Sequence, residues 1–192
     1  MPNYCDNDLI LTHSNPKMII RAIKAFRRDK LMTEFHPCPQ ELIDTIAGSC
    51  AEGYQQELLK FKQELNIKYF GYQDWYAWSN ANWGTKWDVG GSREQYAWID
   101  SHNVKFNFQS AWCPPLGFYE HLESLGFTVN SYYFEGGCAF CGMYSDGNDD
   151  YYEILEGKSQ WVIDNIPEDI DNSMCISQSY AEWEEDNQLE TA

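Results

Sequence analysis

Val104-Lys105-Phe106-Asn107-Phe108-Gln109-Ser110 is the stretch on which the fold turns. Apolar or small residues at 104, 106, 108 and 110 alternate with Lys105, Asn107 and Gln109, the period-2 pattern of a strand with one buried face. Downstream, Pro114-Pro115 opens a helix in which Phe118, Leu122 and Leu125 line up, and Gly126 can close it in the left-handed conformation. Residues 128–135 read as another strand. Gly136-Gly137 signals a hairpin into 138–144, and Ser145-Asp146-Gly147-Asn148 a second turn into 149–155.

Upstream, Asp8-Leu-Ile-Leu-Thr-His13 reads as a short apolar strand. Ser14-Asn15-Pro16 then offers a capping side chain and a proline for a first helical turn. The helix is expected to run to about Lys30, with Ile19, Ile23 and Phe26 on one face and Lys17, Arg21, Lys24 and Arg28 on another. Residues 32–37 read as a second strand ending at Pro37-Cys38-Pro39. Helical patterns follow at about 40–47 and 53–65, the latter carrying Leu58, Leu59, Phe61 and Leu65, and 69–98 is crowded with aromatics. The stretch of about 40–98 therefore reads as an insertion of helices and loops. The order β-α-β, helical insertion, β-α-β-β-β predicts an α+β protein with helices on one face of a mainly antiparallel sheet. Residues 1–155 would form this domain and 156–192 an acidic helical C-terminal extension.

With 192 residues, 43% hydrophobic and 16% aromatic, the chain is expected to fold as one domain rather than remain disordered. It has no run of 18 apolar residues, and Met1-Pro-Asn-Tyr-Cys-Asp6 lacks the basic start and apolar stretch of a signal peptide. Seven cysteines at 5, 38, 50, 113, 138, 141 and 175 are odd in number and irregular in spacing. They read as reduced thiols, and the expected location is the cytoplasm, with no membrane partner.

Charge is unevenly placed. Residues 1–70 hold nine basic and nine acidic side chains, whereas 71–192 hold four and 21, which accounts for the net −17. Residues 146–192 alone hold one basic and 14 acidic. Wrapping DNA needs Lys and Arg to displace phosphate counterions, so this balance argues against a direct nucleic-acid partner. Carboxylates spaced like phosphates could instead occupy the basic groove of a nucleic-acid-handling enzyme, and Asp146, Asp149, Asp150, Glu153, Glu182, Glu184, Glu185 and Asp186 are the candidate partner-binding acids. The plainer alternative is that they keep the protein soluble. The basic stripe of the first helix reads as a solvated face or as a dock for an acidic partner.

Tyr72, Trp75, Tyr76, Trp78, Trp83 and Trp87 place six aromatics in 16 residues. Trp75, Trp78, Trp83 and Trp87 are candidate partner anchors, and core between insertion and sheet is the alternative. Base stacking would need a basic groove, and Lys86 is the one cation in 72–87. Cys138-Ala-Phe-Cys141 is a lone Cys-x-x-Cys expected on a strand, so it reads as structural thiols. Asp146-Gly-Asn-Asp-Asp150 starts like a calcium loop, but Tyr151 stands where glycine is needed and Gly157 where a bidentate Glu is needed. No nucleophile elbow, P-loop, dinucleotide fingerprint or zinc-protease motif occurs. No catalytic residue, metal ligand or cofactor is named, and the reading is of a non-enzyme.

Three segments together resemble the YubB-type ferredoxin-like family carried by phages and plasmids. They are Met1-Pro-Asn-Tyr-Cys-Asp-Asn7, Asn82-Trp-Gly-Thr-Lys-Trp-Asp88 and Phe108-Gln-Ser-Ala-Trp-Cys-Pro-Pro115. The resemblance spans roughly 1–155 and departs in Tyr4, where tryptophan is expected, and in the long acidic end. It implies a ferredoxin-like α+β sandwich with a helical insertion, and an accessory role on mobile elements. The expected function is inhibition of a host defence or nucleic-acid-processing protein, an anti-restriction or anti-CRISPR role, in the host cytoplasm. The rival expectations are a ferredoxin-like nucleic-acid binder using helix 17–30 with aromatics 72–87, and an enzyme with an unrecognised site.

Overall fold

A computed structural model describes residues 3–49 and 53–190 of the protein. Its centre is one antiparallel sheet in the order β2-β3-β1-β4-β5-β6, with β1 Tyr4–Thr12, β2 Tyr96–Trp98, β3 Asn103–Ala111, β4 Thr128–Glu135, β5 Phe140–Ser145 and β6 Asn148–Glu153. Strand β1 is central. It pairs with β3 from Tyr4↔Ala111 to Thr12↔Asn103, and with β4 from Asp6↔Phe134 to Thr12↔Thr128. It begins four residues before the expected Asp8, because the polar residues that mask it are all engaged. Asn7 is buried and donates to Ser110 Oγ at 2.8 Å, while Asp6 accepts from Gln109 at 2.9 Å.

The first sheet face is the one read from β3. Val104, Phe106 and Phe108 are buried with Leu9, Leu11 and Val129 beneath α1 (Pro16–Phe26) and α6 (Leu116–Ser124). Asn15 caps α1 by accepting from the Lys17 amide, and Ile19, Ile23 and Phe26 enter the core as their spacing requires. Helix α1 follows β1, and α6 carries the chain from β3 to β4. With β3 lying between β2 and β1, this is split β-α-β connectivity.

Three sequence expectations need correction. Residues 32–37 are not a strand: Leu31–Phe35 form a short helix, α2, that buries Leu31, Met32 and Phe35. The helix is too short to show its period in sequence, and its first amides are held from far away, by Asp88 accepting from Met32 N at 2.7 Å and Thr33 N at 3.0 Å. The insertion contains α3 (Gln40–Ile43), α4 (Tyr54–Phe70) and α5 (Trp75–Asn82), but does not reach residue 98. Tyr96–Trp98 pair with Val104–Phe106 as edge strand β2.

The third correction concerns the expectation of helices on one sheet face only. The C-terminal end forms helices α7 (Ser159–Asn165), α8 (Glu168–Met174) and α9 (Ile176–Glu190). Val162, Ile166, Ile170 and Ile176 pack with Cys141, Tyr132, Phe134, Met143 and Tyr152. By strand register those sheet residues face away from Tyr133, Phe140 and Tyr144, so helices cover both faces rather than one. No helix among the described residues is long and apolar enough to cross a membrane.

Candidate functional site

The candidate acids fall into two groups on β6 and α9. Asp146 and Gly147 both have positive φ, 50° and 75°, which makes the tight two-residue turn that starts β6. Asp150 and Glu153 are exposed on this edge strand. Asp149 is also exposed, but it accepts from the Tyr133 hydroxyl at 2.6 Å. Burial first, and then this carboxylate, raise the Tyr133 pKa and keep the phenol protonated. On α9, Glu182, Glu185 and Asp186 are exposed. Glu184 turns back to accept from the Ser159 backbone N–H at 3.1 Å and hydroxyl at 2.8 Å, at the start of α7. Two of the eight acids are thus structural as well. Among the described residues of this end, the ion pair is Lys158–Glu156 at 3.1 Å, which leaves Asp150, Glu153, Glu182, Glu185 and Asp186 without a cation.

The basic residues sit on α1 and just beyond it, over the sheet face opposite α9. Arg21 and Arg28 both hold Glu34, at 2.7 and 3.1 Å, and Arg21 lies 4.6 Å from the Phe35 ring centre. Part of the stripe is therefore spent on α2, not on the acidic half of the chain.

The tryptophans separate. Trp78 and Trp83 are 6% and 5% exposed and stand edge-to-face at 5.3 Å. The Trp83 indole donates to His36 O at 2.9 Å. Both are core between the insertion and the sheet, which corrects their assignment as partner anchors. Trp75 is partly buried against the same core. Trp87 is 41% exposed, with Lys86 Nζ 4.5 Å from its ring centre and 5.5 Å from that of Tyr76.

The three segments that carry the family resemblance converge at one end of β1 and β3; Met1 and Pro2 lie outside the described residues. Asn3 O accepts from Trp112 N at 3.0 Å, and Tyr4 pairs with Ala111. Thr85 Oγ1 donates to Ala111 O at 3.0 Å and accepts from Ala111 N at 3.1 Å. The Cys113 thiol donates to Gly84 O at 2.9 Å. Trp112, half exposed, has φ of 73°, a conformation that bulky side chains rarely adopt. These motif residues clasp the end of the insertion to the sheet.

Two features escaped the sequence reading. On the second sheet face, a crevice of about 360 Å³ is lined by Asp6, Asp8, Asn107, Gln109 and Ser173–Cys175. Asp8 is held by Lys105 at 2.6 Å and by the Asn107 amide, so the crevice carries a paired charge. The alternation of 105, 107 and 109 marked that face as polar, but nothing local placed α8 beside it. The other feature is α4, on which Tyr54, Leu58, Phe61, Leu65 and Tyr69 are exposed while Leu59 is buried. The Cys-x-x-Cys is split: Cys138 is exposed in a turn, because β5 starts at Phe140, whereas Cys141 is buried and its thiol is pushed up to about 11, by burial first and Asp171 second. Cys50 lies outside the described residues. No group of three metal-ligating side chains occurs among the described residues.

No protein-family model matches the chain, and no curated protein matches it. Among solved structures it is similar to protein api92 from Yersinia pseudotuberculosis, of the family model DUF1281. The identity is 9%, covering 81% of this chain and 99% of that one, with a TM-score of 0.45.

Proposed function

We propose that this ferredoxin-like chain is an accessory protein of phages or plasmids that binds, and thereby inhibits, a host defence or nucleic-acid-processing protein. It docks through the acidic surface of β6 and α9. The observation that carries the reading is the segregation of charge: unpaired carboxylates lie on edge strand β6 and on α9, while the unpaired cations of α1 lie over the sheet face opposite α9. Such a surface is complementary to a basic nucleic-acid groove and would steer its own docking. Two facts weigh against the nucleic-acid-binding rival: Arg21 and Arg28 are taken by Glu34, and Trp78 and Trp83 are buried.

The test is a pull-down from host lysate at low and high salt. A specific basic protein recovered at low salt and lost at high salt supports the reading. Recovery of no specific protein overturns it, and a mobility shift of single-stranded nucleic acid would favour the rival instead.

A further inference from the structure

We infer that the protein self-associates through α4, pairing this helix antiparallel with the same helix of a second copy. Tyr54, Leu58, Phe61, Leu65 and Tyr69 follow one another at spacings of 4, 3, 4 and 4, so they form one stripe about 23 Å long. All five are exposed, with Tyr54 at 78%, Phe61 at 59% and Tyr69 at 70%. The helix is held to its own protein along a different side, where Leu59 and Asn66 are buried and Asn66 donates to Thr45 Oγ1 at 2.9 Å and Gln73 O at 3.0 Å. Lys62 donates to Asp44 O at 2.7 Å, which fixes the segment after α3 to this held side of the helix.

What identifies the occupant is the order of the side chains. Read in either direction, the stripe is Tyr-Leu-Phe-Leu-Tyr. A two-fold axis at Phe61 therefore sets Tyr54 against Tyr69 of the other copy, Leu58 against Leu65, and Phe61 against itself. This is the self-complementarity that an isologous interface requires. Charge obeys the same symmetry: beside the stripe, Glu57 comes to face Lys68. With three Lys and two Glu, the described α4 is locally balanced in a chain of net charge −17, so here two copies can approach.

Area agrees. At roughly 200 Å² per aromatic side chain, Tyr54, Phe61 and Tyr69 alone leave about 400 Å² open. Leu58 and Leu65 carry the patch further toward the ~800 Å² that each partner contributes to a standard-size interface. A typical monomer exposes no apolar patch beyond roughly 300–600 Å².

Sedimentation velocity from low to high micromolar concentration tests this. The wild-type chain should sediment as a dimer, and Phe61→Glu, with an unchanged melting curve, should raise the dimer dissociation constant at least about tenfold. Lys68→Glu should weaken the dimer, and adding Glu57→Lys should restore it. In a Cys50→Ser, Cys138→Ser, Cys175→Ser background, Phe61→Cys should cross-link to itself on oxidation. Leu58→Cys should cross-link to Leu65→Cys but not to itself. A wild-type monomer at every concentration overturns the inference, as does a dimer that persists in Phe61→Glu. It also falls if wild type is monomeric and Phe61→Glu abolishes capture of a host protein, because the stripe would then belong to that partner.

Discussion

His36 sits at the junction of the insertion and the first helical layer, and its ring is packed between two aromatic neighbours. It stacks on His121 at 3.8 Å between centroids and meets Trp78 edge-on at 5.0 Å. Burial first, and His121 second, lower its pKa. The sign follows directly: the fold favours the neutral ring, so this stability is present above the unfolded value, near pH 6.5, and is lost as pH falls through the lower folded value. Between about pH 7.5 and about pH 5.5 the melting temperature should therefore fall more steeply in wild type than in His36→Gln. Parallel slopes would refute the assignment. The neighbouring tryptophans differ as their burial does. Trp78→Ala and Trp83→Ala should each cost about 3–5 kcal/mol in chemical denaturation, because each empties a packed site. Trp87→Ala should stay within about 0.5 kcal/mol. If Trp87 proved as costly as Trp83, the division between core and surface would be wrong.

At the scale of elements, α2 is the least self-sufficient piece. Five residues cannot nucleate a helix in isolation. Its start is secured by the Asp88 carboxylate, which also accepts from Val89 N at 2.8 Å, and Leu31 N donates to Val89 O at 3.1 Å. Asp88 thus joins the end of the insertion to a helix more than fifty residues earlier. Asp88→Ala should cost about 1–2 kcal/mol in urea denaturation, in the range of a lost N-cap, and Asp88→Asn should recover part of it. A loss within experimental error in Asp88→Ala would mean that burial of Leu31, Met32 and Phe35 alone holds α2. Strand β6 illustrates another element-level logic. It is an edge strand, and Asp149, Asp150 and Glu153 discourage edge-to-edge pairing with another chain whatever else they bind.

For the whole molecule, the separation of charge makes a kinetic prediction. Asp150→Asn, Glu153→Gln, Glu185→Gln and Asp186→Asn combined should slow association with the captured partner more than they speed its release. Added salt should imitate them, since steering is screened beyond about 8 Å at physiological ionic strength. Folding stability should change little, because exposed pairs are worth only ~0–1 kcal/mol each. Asp149 and Glu184 are left out because Tyr133 and Ser159 depend on them. Variants that associate at the wild-type rate at low salt would remove the acidic surface from the mechanism.

The sequence by itself determined the parts whose information is periodic and local. Alternation at 104–110 fixed which face of β3 is buried, spacing and capping fixed α1, and Asp146-Gly147 fixed the turn into β6. The clustering of carboxylates beyond residue 146 was equally legible, since charge is a property of composition. Only the tertiary structure decided what covers each face. Val162, Ile166 and Ile170 recur every four residues within an acidic run, yet nothing local says that they close the second side of the sheet. Trp78, Trp83 and Trp87 are the same residue type within ten positions, and long-range packing alone buries two and leaves the third exposed. The helical pattern at 53–65 forms α4, but a periodic pattern gives the direction of an apolar stripe and not its partner, so the exposure of Leu58, Phe61 and Leu65 is legible only in the structure. On α4 much of that stripe is open to solvent, which is the physical reason for looking to a second copy.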